Sequence, residues 1–243
     1  MKKSETKNIS QDFPMRINKY LALRGDTTRL GADALIRSGR VTINGKKAEL
    51  GSKVTKESDV VVITGAQKYK TYIAYNKPIG IVTVNPHKGE QAIKDVAGVP
   101  RGLFPVGRLD KDSRGLIILT NDGRITKRLL EPQFAHEKEY VVTIEGVYDD
   151  AFLKKMMHGV AIGDYITKPC KTKRLAKDRF SIILTEGKNR QIRRMCQALG
   201  AKVIDLERVR IINIPLGNLS PNKHRVITGE ERTVFLSHLG VYS

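Results

Sequence analysis

Chemistry in this sequence concentrates in three short stretches. The first, residues 104–123, is a polar loop that carries Asp110 and runs into the apolar segment Leu116-Ile-Ile-Leu119 and then a turn. The second places Tyr140 ahead of an apolar stretch that reads as a strand. In the third, residues 189–200, Ile192, Met195, Cys196 and Leu199 recur as a helical apolar stripe, and Arg190, Arg193 and Arg194 share a neighbouring face at i, i+3 and i+4. An ionised carboxylate can act as a nucleophile or a base. Desolvation favours its neutral form, so a carboxylate in a closed site requires a nearby cation, which such an arginine face could supply. Taken singly, each residue also has a plain structural role: Asp110 as a loop or capping residue, Tyr140 at a core edge, Arg193 on a helix surface. Ile192 could equally be ordinary core.

Composition bounds the partner. The 243 residues hold 44 Lys+Arg against 25 Asp+Glu, a formal net charge of +19, with 40% hydrophobic residues. The excess is spread over the first fifty residues after the leader and over the remainder, which suits an extended polyanion. Apolar runs such as Leu116–Leu119 have strand length only, so nucleic acid is preferred to a membrane. Cys170 and Cys196 form no C-x-x-C pair and the 5 histidines show no ligand spacing, so no metal site is expected. A phosphate loop is also missing: Gly187-Lys188 has Ile182 where the first glycine would stand, and no nucleotide cofactor is expected.

The punctuation of the chain predicts a disordered leader over residues 1–14 and a small module over 15–66. Ile17, Tyr20 and Leu21 are spaced for a helix that Gly25 can end. Thr27 or Thr28 can cap a second helix bearing Ala32, Leu35 and Ile36, with Gly39 at its stop. Val41 and Ile43 then alternate, Asn44-Gly45 marks a tight turn, and residues 60–63 can close a small sheet. After a tether near residues 64–70, Tyr72 to Val84 reads as two strand segments around a turn at Lys77, Pro78 and Gly80. Asn189 is expected to cap the arginine helix and Gly200 to end it.

Two helices followed by a hairpin ending in V-x-I-N-G-K resemble the S4 RNA-binding domain. That resemblance implies a basic face against RNA, with Arg16, Lys19, Arg29, Arg37, Arg40, Lys46 and Lys47 as phosphate contacts. Asn18 stands where many S4 domains carry Asp, a departure expected to alter a local cap.

Residues 107–116, Gly-Arg-Leu-Asp-Lys-Asp-Ser-Arg-Gly-Leu, resemble the G-R-L-D-x-x-S-x-G-L segment of pseudouridine synthases of the small-subunit and large-subunit rRNA type. Asn76-Lys-Pro-x-Gly80, Lys138-Glu-Tyr140 and the stretch from Glu186 to Met195 follow the family's order. The resemblance implies an α+β chain: the S4-like module, then a synthase domain over residues 70–243 with a mainly antiparallel mixed sheet and flanking helices. It implies that Asp110 is the catalytic carboxylate, that Arg193 pairs with it, and that Tyr140 stacks on the target base and helps move the ring proton. Ile192 would touch the same base, Arg108 would enter the stack when the nucleotide flips, and Arg190 and Arg194 would meet phosphates. Asp112, Asp122 and Lys77 are explained by turn and loop structure. The family's reaction isomerises a uridine of ribosomal RNA without cofactor. Residues 141–144, 166–173 and 206–213 resemble the F-type branch, which points to 23S rRNA as partner; the polar N-terminus without an apolar signal segment points to a cytoplasmic protein, and a monomer is expected. The alternatives are a small-subunit (16S) enzyme or a non-catalytic RNA-binding assembly factor on the same scaffold.

Overall fold

The computed structural model describes residues 13–24, 26–27, 29–65, 70–96, 98–100 and 102–241. The leader expected over residues 1–14 therefore lies outside the described residues except for Phe13 and Pro14, and Phe13 packs on the N-terminal core. Most of the tether falls outside them as well.

By contact the chain divides into two units, with the break between Thr71 and Tyr72 and residues 121–124 grouped with the first. The first begins with β1 (Met15–Arg16), α1 (Ile17–Arg24) and α2 (Arg29–Arg37). It continues through β2 (Val41–Ile43), β3 (Lys46–Lys47), β4 (Lys53–Val54) and β5 (Val61–Ile63). Ile17, Leu21, Ala32 and Ile36 meet Val41, Val54 and Val61 in one core, as the helical spacing requires. Asn44 and Gly45 both take positive φ, 51° and 79°, which joins β2 to β3 by the mirror-image turn that matches strand twist. Asn18 does not act as a cap: its Nδ2 donates to Asp33 Oδ1 at 2.9 Å and ties α1 to α2.

In the second unit come β6 (Tyr72–Lys77), β7 (Phe104–Val106), β8 (Arg114–Thr120), α3 (Arg124–Leu130) and β9 (Lys138–Ile144). After them are α4 (Asp150–His158), β10 (Ala161–Ile162), β11 (Tyr165–Ile166), β12 (Lys171–Arg174) and β13 (Arg179–Leu184). The chain ends with α5 (Gln191–Ala198), β14 (Val203–Ile211), β15 (Ile214–Pro215), β16 (His224–Val226) and α6 (Gly229–His238). The sheet runs β12-β13-β9-β14-β8-β6-β16, with β15 on β14 and β7 on β8. Its strand pairs are antiparallel except β14 and β8, which run parallel. The α+β architecture with a mainly antiparallel mixed sheet is thus as the sequence implies.

Central strands are covered on both faces, and this explains their unbroken apolar runs. Tyr72 and Ala74 of β6 with Leu116 and Ile118 of β8 face one core, while Ile73, Tyr75, Ile117 and Leu119 face another. A third core joins β9 and β13 to α4 and α5 through Val142, Phe180, Ile182, Phe152, Ile192 and Met195. One expected strand is missing: past the turn at Pro78 the segment makes only an isolated bridge between Val82 and Ala92. Lys77 sends its ammonium into that turn, donating to the carbonyls of Pro78 (2.9 Å) and Ile81 (2.7 Å), which holds it as a loop.

The parallel junction depends on Gly115. Its φ is +105°, and a Cβ there would stand 2.4 Å from the carbonyl oxygen of Arg208 and 2.7 Å from its nitrogen. Only glycine lets β8 approach β14 this closely. No helix among the described residues is long and apolar enough to cross a membrane.

Candidate active site

Asp110 lies in the loop between β7 and β8, just ahead of the parallel junction, and opens onto a cleft of about 530 Å³. The cleft draws its lining from the strands at the middle of the sheet and from the turn before α5. Arg108, Asp110, Ser113, Tyr140, Arg190, Ile192 and Arg208 all contribute. The Asp110 side chain is 35% exposed, and its nearest cation is Arg190, whose Nη1 stands 3.8 Å from Oδ2.

The expected pairing of Asp110 with Arg193 is corrected. Arg193, 13% exposed, turns instead to Asp112: Nη2 donates to the Asp112 carbonyl at 2.7 Å, Nη1 to Val203 at 3.2 Å, and Nε lies 3.3 Å from Asp112 Oδ2. That last approach is off the hydrogen-bond direction and leaves the buried Nε–H without a hydrogen-bond partner. Arg190 grips the same carboxylate with both terminal nitrogens, at 2.9 and 2.8 Å. The Arg190 guanidinium, with Arg193 behind it, holds the Asp112 carboxyl below the usual carboxylate range. Asp112 is therefore the clamp between the aspartate loop and α5, held by both arginines. The physical reason is reach: Asp112 and its carbonyl face the start of α5, where both arginines emerge.

The turn before α5 also departs from expectation. Asn189 does not cap the helix; Arg190 occupies the N-cap position in the left-handed region, φ 48°, without a side-chain cap bond. Gln191 takes over by accepting the Lys188 amide at 2.9 Å and donating to buried Glu186 at 2.7 Å. Glu186 also accepts from Tyr165 Oη (2.5 Å) and the Lys168 amide (3.0 Å). Gly200, with φ 81°, follows the helix end as expected. Arg194 points away from the cleft lining and donates to the Ile162 carbonyl at 2.6 Å. Ile192 is both things weighed for it, packed in the core beneath α5 and presented to the cleft. Arg108 is exposed at the cleft.

Three buried or half-buried cations, none with a role in the site expected from sequence, stand in or beside the cleft. Lys77 is fully buried, and burial pushes its pKa down to about 8 against the pull of Asp110 and Asp112. Lys138 lines the cleft two residues before Tyr140, and burial together with Arg208 pushes it down to about 8 as well. Arg208 of β14 is 4% exposed; its Nε donates to the Leu116 carbonyl at 2.6 Å, its guanidinium carbon is 6.0 Å from the Tyr140 ring centre, and one Nη2 is unpartnered. Strand periodicity could have found Lys138, which shares a face with Tyr140. No local signal marks Arg208, because its burial comes from the parallel junction.

In the N-terminal unit Arg16, Arg29, Arg37, Lys46 and Lys47 are exposed, and Lys19 and Arg40 are partly so. Arg40 is committed internally, with Nε on the Thr64 carbonyl at 2.9 Å and Nη2 on that of Gly65, so it anchors the end of β5.

A loop carboxylate set among cations and an aromatic ring in an open cleft fits an enzyme that works on a polyanion. The model of the RNA pseudouridylate synthase family matches residues 71–198, an S4 domain model matches residues 15–61, and the chain belongs to the RNA pseudouridylate synthase family. It is 41% identical over 226 residues to the dual-specificity RNA pseudouridine synthase RluF of Escherichia coli (strain K12), spanning 90% of this chain and 78% of that one. It is 34% identical to ribosomal large subunit pseudouridine synthase B of Bacillus subtilis (strain 168), over 89% and 93%. A crystal structure of a pseudouridylate synthase superposes with TM-score 0.68 at 29% identity, covering 93% of this chain and 99% of that one. The chain is an isomerase of this family.

Proposed function

We propose that this enzyme converts a uridine of ribosomal RNA, in the large subunit (23S), to pseudouridine, in the cytoplasm, as a monomer and without cofactor. The observation that carries this is the position of Asp110. Among the described residues it is the one carboxylate in the cleft lining not consumed by internal hydrogen bonds, since Glu186 is committed to Tyr165, Lys168 and Gln191. Asp110 meets the sugar of a flipped uridine, as nucleophile at C1′ or as base at C2′. Tyr140 and Ile192 meet the base and Arg108 fills the stack left behind. Arg190 serves the aspartate loop directly and Arg193 supports it through Asp112. The S4-like module of residues 15–66 adds affinity through Arg16, Lys19, Arg29, Arg37, Lys46 and Lys47 on phosphates, and the chemistry belongs to residues 70–243. Support for the large-subunit substrate comes from the resemblance to the F-type branch and from the Bacillus subtilis relative, a ribosomal large subunit pseudouridine synthase.

The test is release of tritium from RNA labelled at uridine C5, with 23S, 16S and transfer RNA transcripts assayed separately. Release from 23S RNA alone is expected. Release from 16S RNA alone would move the substrate to the small subunit, and tight RNA binding without release from any transcript would make the chain a binding factor.

A further inference from the structure

We propose that Lys138 and Arg208 form the anion site that holds the uracil ring once its bond to the sugar has broken. This rests on the isomerase reaction proposed above and extends it to the fate of the detached base.

Breaking the N1–C1′ bond sends its electron pair to the base, so uracil leaves as a monoanion with charge shared by N1 and the two carbonyl oxygens. Asp110 balances the sugar, either by bonding C1′ through a carboxylate oxygen or by taking the C2′ proton. In the first case C5 displaces the carboxylate from C1′; in the second, C5 bonds C1′ as the proton returns to C2′. The C5 proton then passes to water and N1 takes one up, so nothing is oxidised or reduced. By either route the negative charge that Asp110 gives up, on bonding C1′ or on taking the proton, passes to the ring, and the cleft must hold it there. A preorganised positive charge is the remedy.

Lys138 and Arg208 are placed for that task. Both line the cleft with Tyr140 and Asp110. Register pairs Arg208 with Tyr140 across β14 and β9, and Lys138 shares the face of Tyr140 by strand alternation. Among the described residues neither has a carboxylate within ion-pair distance, because the nearby acids are taken. Glu137 and Glu139, on the opposite face of β9, pair with Arg210, and Asp205 and Glu207 pair with Arg114. Lys138 keeps one long bond to the His136 carbonyl, 3.3 Å, and Arg208 leaves one Nη2 unsatisfied. A buried Arg208 and a half-buried Lys138 lining one cleft without a counter-charge are costly to the fold, and Arg208 already disfavours the Lys138 ammonium. An RNA phosphate is a poorer fit than the base, since Arg208 is 4% exposed behind the Tyr140 ring rather than at the rim.

Single-turnover rates on uridine RNA and on the same RNA carrying 5-fluorouridine test this, because fluorine stabilises the uracil anion and reduces its need for help. Rearrangement at the sugar is read for both, by product chromatography. For Lys138→Met, the uridine rate is expected to fall about 100-fold, the scale of one lost oxyanion-type donor. The 5-fluorouridine rate should fall about tenfold or less, with RNA affinity unchanged. Arg208→Lys should keep more of the uridine rate than Arg208→Met. If both RNAs lose rate equally in Lys138→Met, or if weaker RNA binding accounts for the whole loss, the anion site is wrong. Should Arg208→Met fail to fold, Lys138→Met decides alone. Wild-type protein that never rearranges either RNA would overturn the isomerase assignment along with this one, whereas active wild-type with equal losses overturns only the anion site.

Discussion

The two units treat buried polar groups in opposite ways. In the N-terminal unit Asp59 is buried, yet its carboxylate accepts from Asn44 Nδ2 (3.0 Å), the Thr55 amide (2.7 Å), Thr55 Oγ1 (2.8 Å) and the Lys56 amide (3.2 Å). Those hydrogen bonds, Asn44 foremost, hold its carboxyl far below the usual range. Around the cleft of the second unit the reverse holds: Ser113 Oγ, Thr126 Oγ1 and Arg208 Nη2 are buried, line the cleft and have no partner. Among the described residues every such orphan lies in the second unit. A unit that meets RNA with surface charges can satisfy its buried polar atoms internally, while one that must engage a reacting nucleotide inside a cleft keeps buried donors unspent.

The contrast between the two units can be tested by substitution. The largest effect is expected from Asp110→Asn, which should lower single-turnover isomerisation by about 10³-fold or more while RNA affinity stays near wild type. Undiminished tritium release would remove Asp110 from the chemistry. Gly115→Ala should destabilise the second unit by about 3 kcal/mol, because a strained φ and a backbone clash with Arg208 add together. Denaturant unfolding followed by tyrosine fluorescence would register it, and a wild-type midpoint would show that the parallel junction tolerates a side chain. Asp112→Asn frees Arg190 and Arg193 from their shared carboxylate and should cost about 10- to 100-fold in rate, the worth of a charge-assisted contact or two.

A pH-dependent effect is expected from Lys77. Its folded pKa of about 8 lies below the ordinary 10.5, so between those values the unfolded chain binds a proton that the native protein has lost. Stability contributed by this group therefore rises with pH across that window, and below pH 8 the cost of its buried charge is present in full. Lys77→Met should flatten the rise in unfolding free energy between pH 8 and 10.5; an unaltered slope would contradict the assignment. Smallest is Asp59→Asn, confined to the N-terminal unit. Faster hydrogen exchange at the Thr55 and Lys56 amides is expected, with turnover at saturating RNA unchanged.

The features legible before folding are local ones. Helical spacing located α1, α2 and α5, Asn44-Gly45 forced its turn, and the loop around Asp110 was recognisable by its residues and their order, because such features depend on neighbours a few positions apart. Pairing choices were decided only by the tertiary structure. The sequence pointed Arg193 at Asp110, but the folded loop presents Asp112 to it, and Asn189 yielded its capping role to Gln191 because Glu186 anchors that amide from β13 to α5. Arg208 became a buried cation only when Gly115 let β8 run parallel to β14, and Lys77 became one only when the turn beyond Pro78 closed over it. Burial and charge pairing depend on which strands meet, and strands distant in sequence carry no local record of their partners.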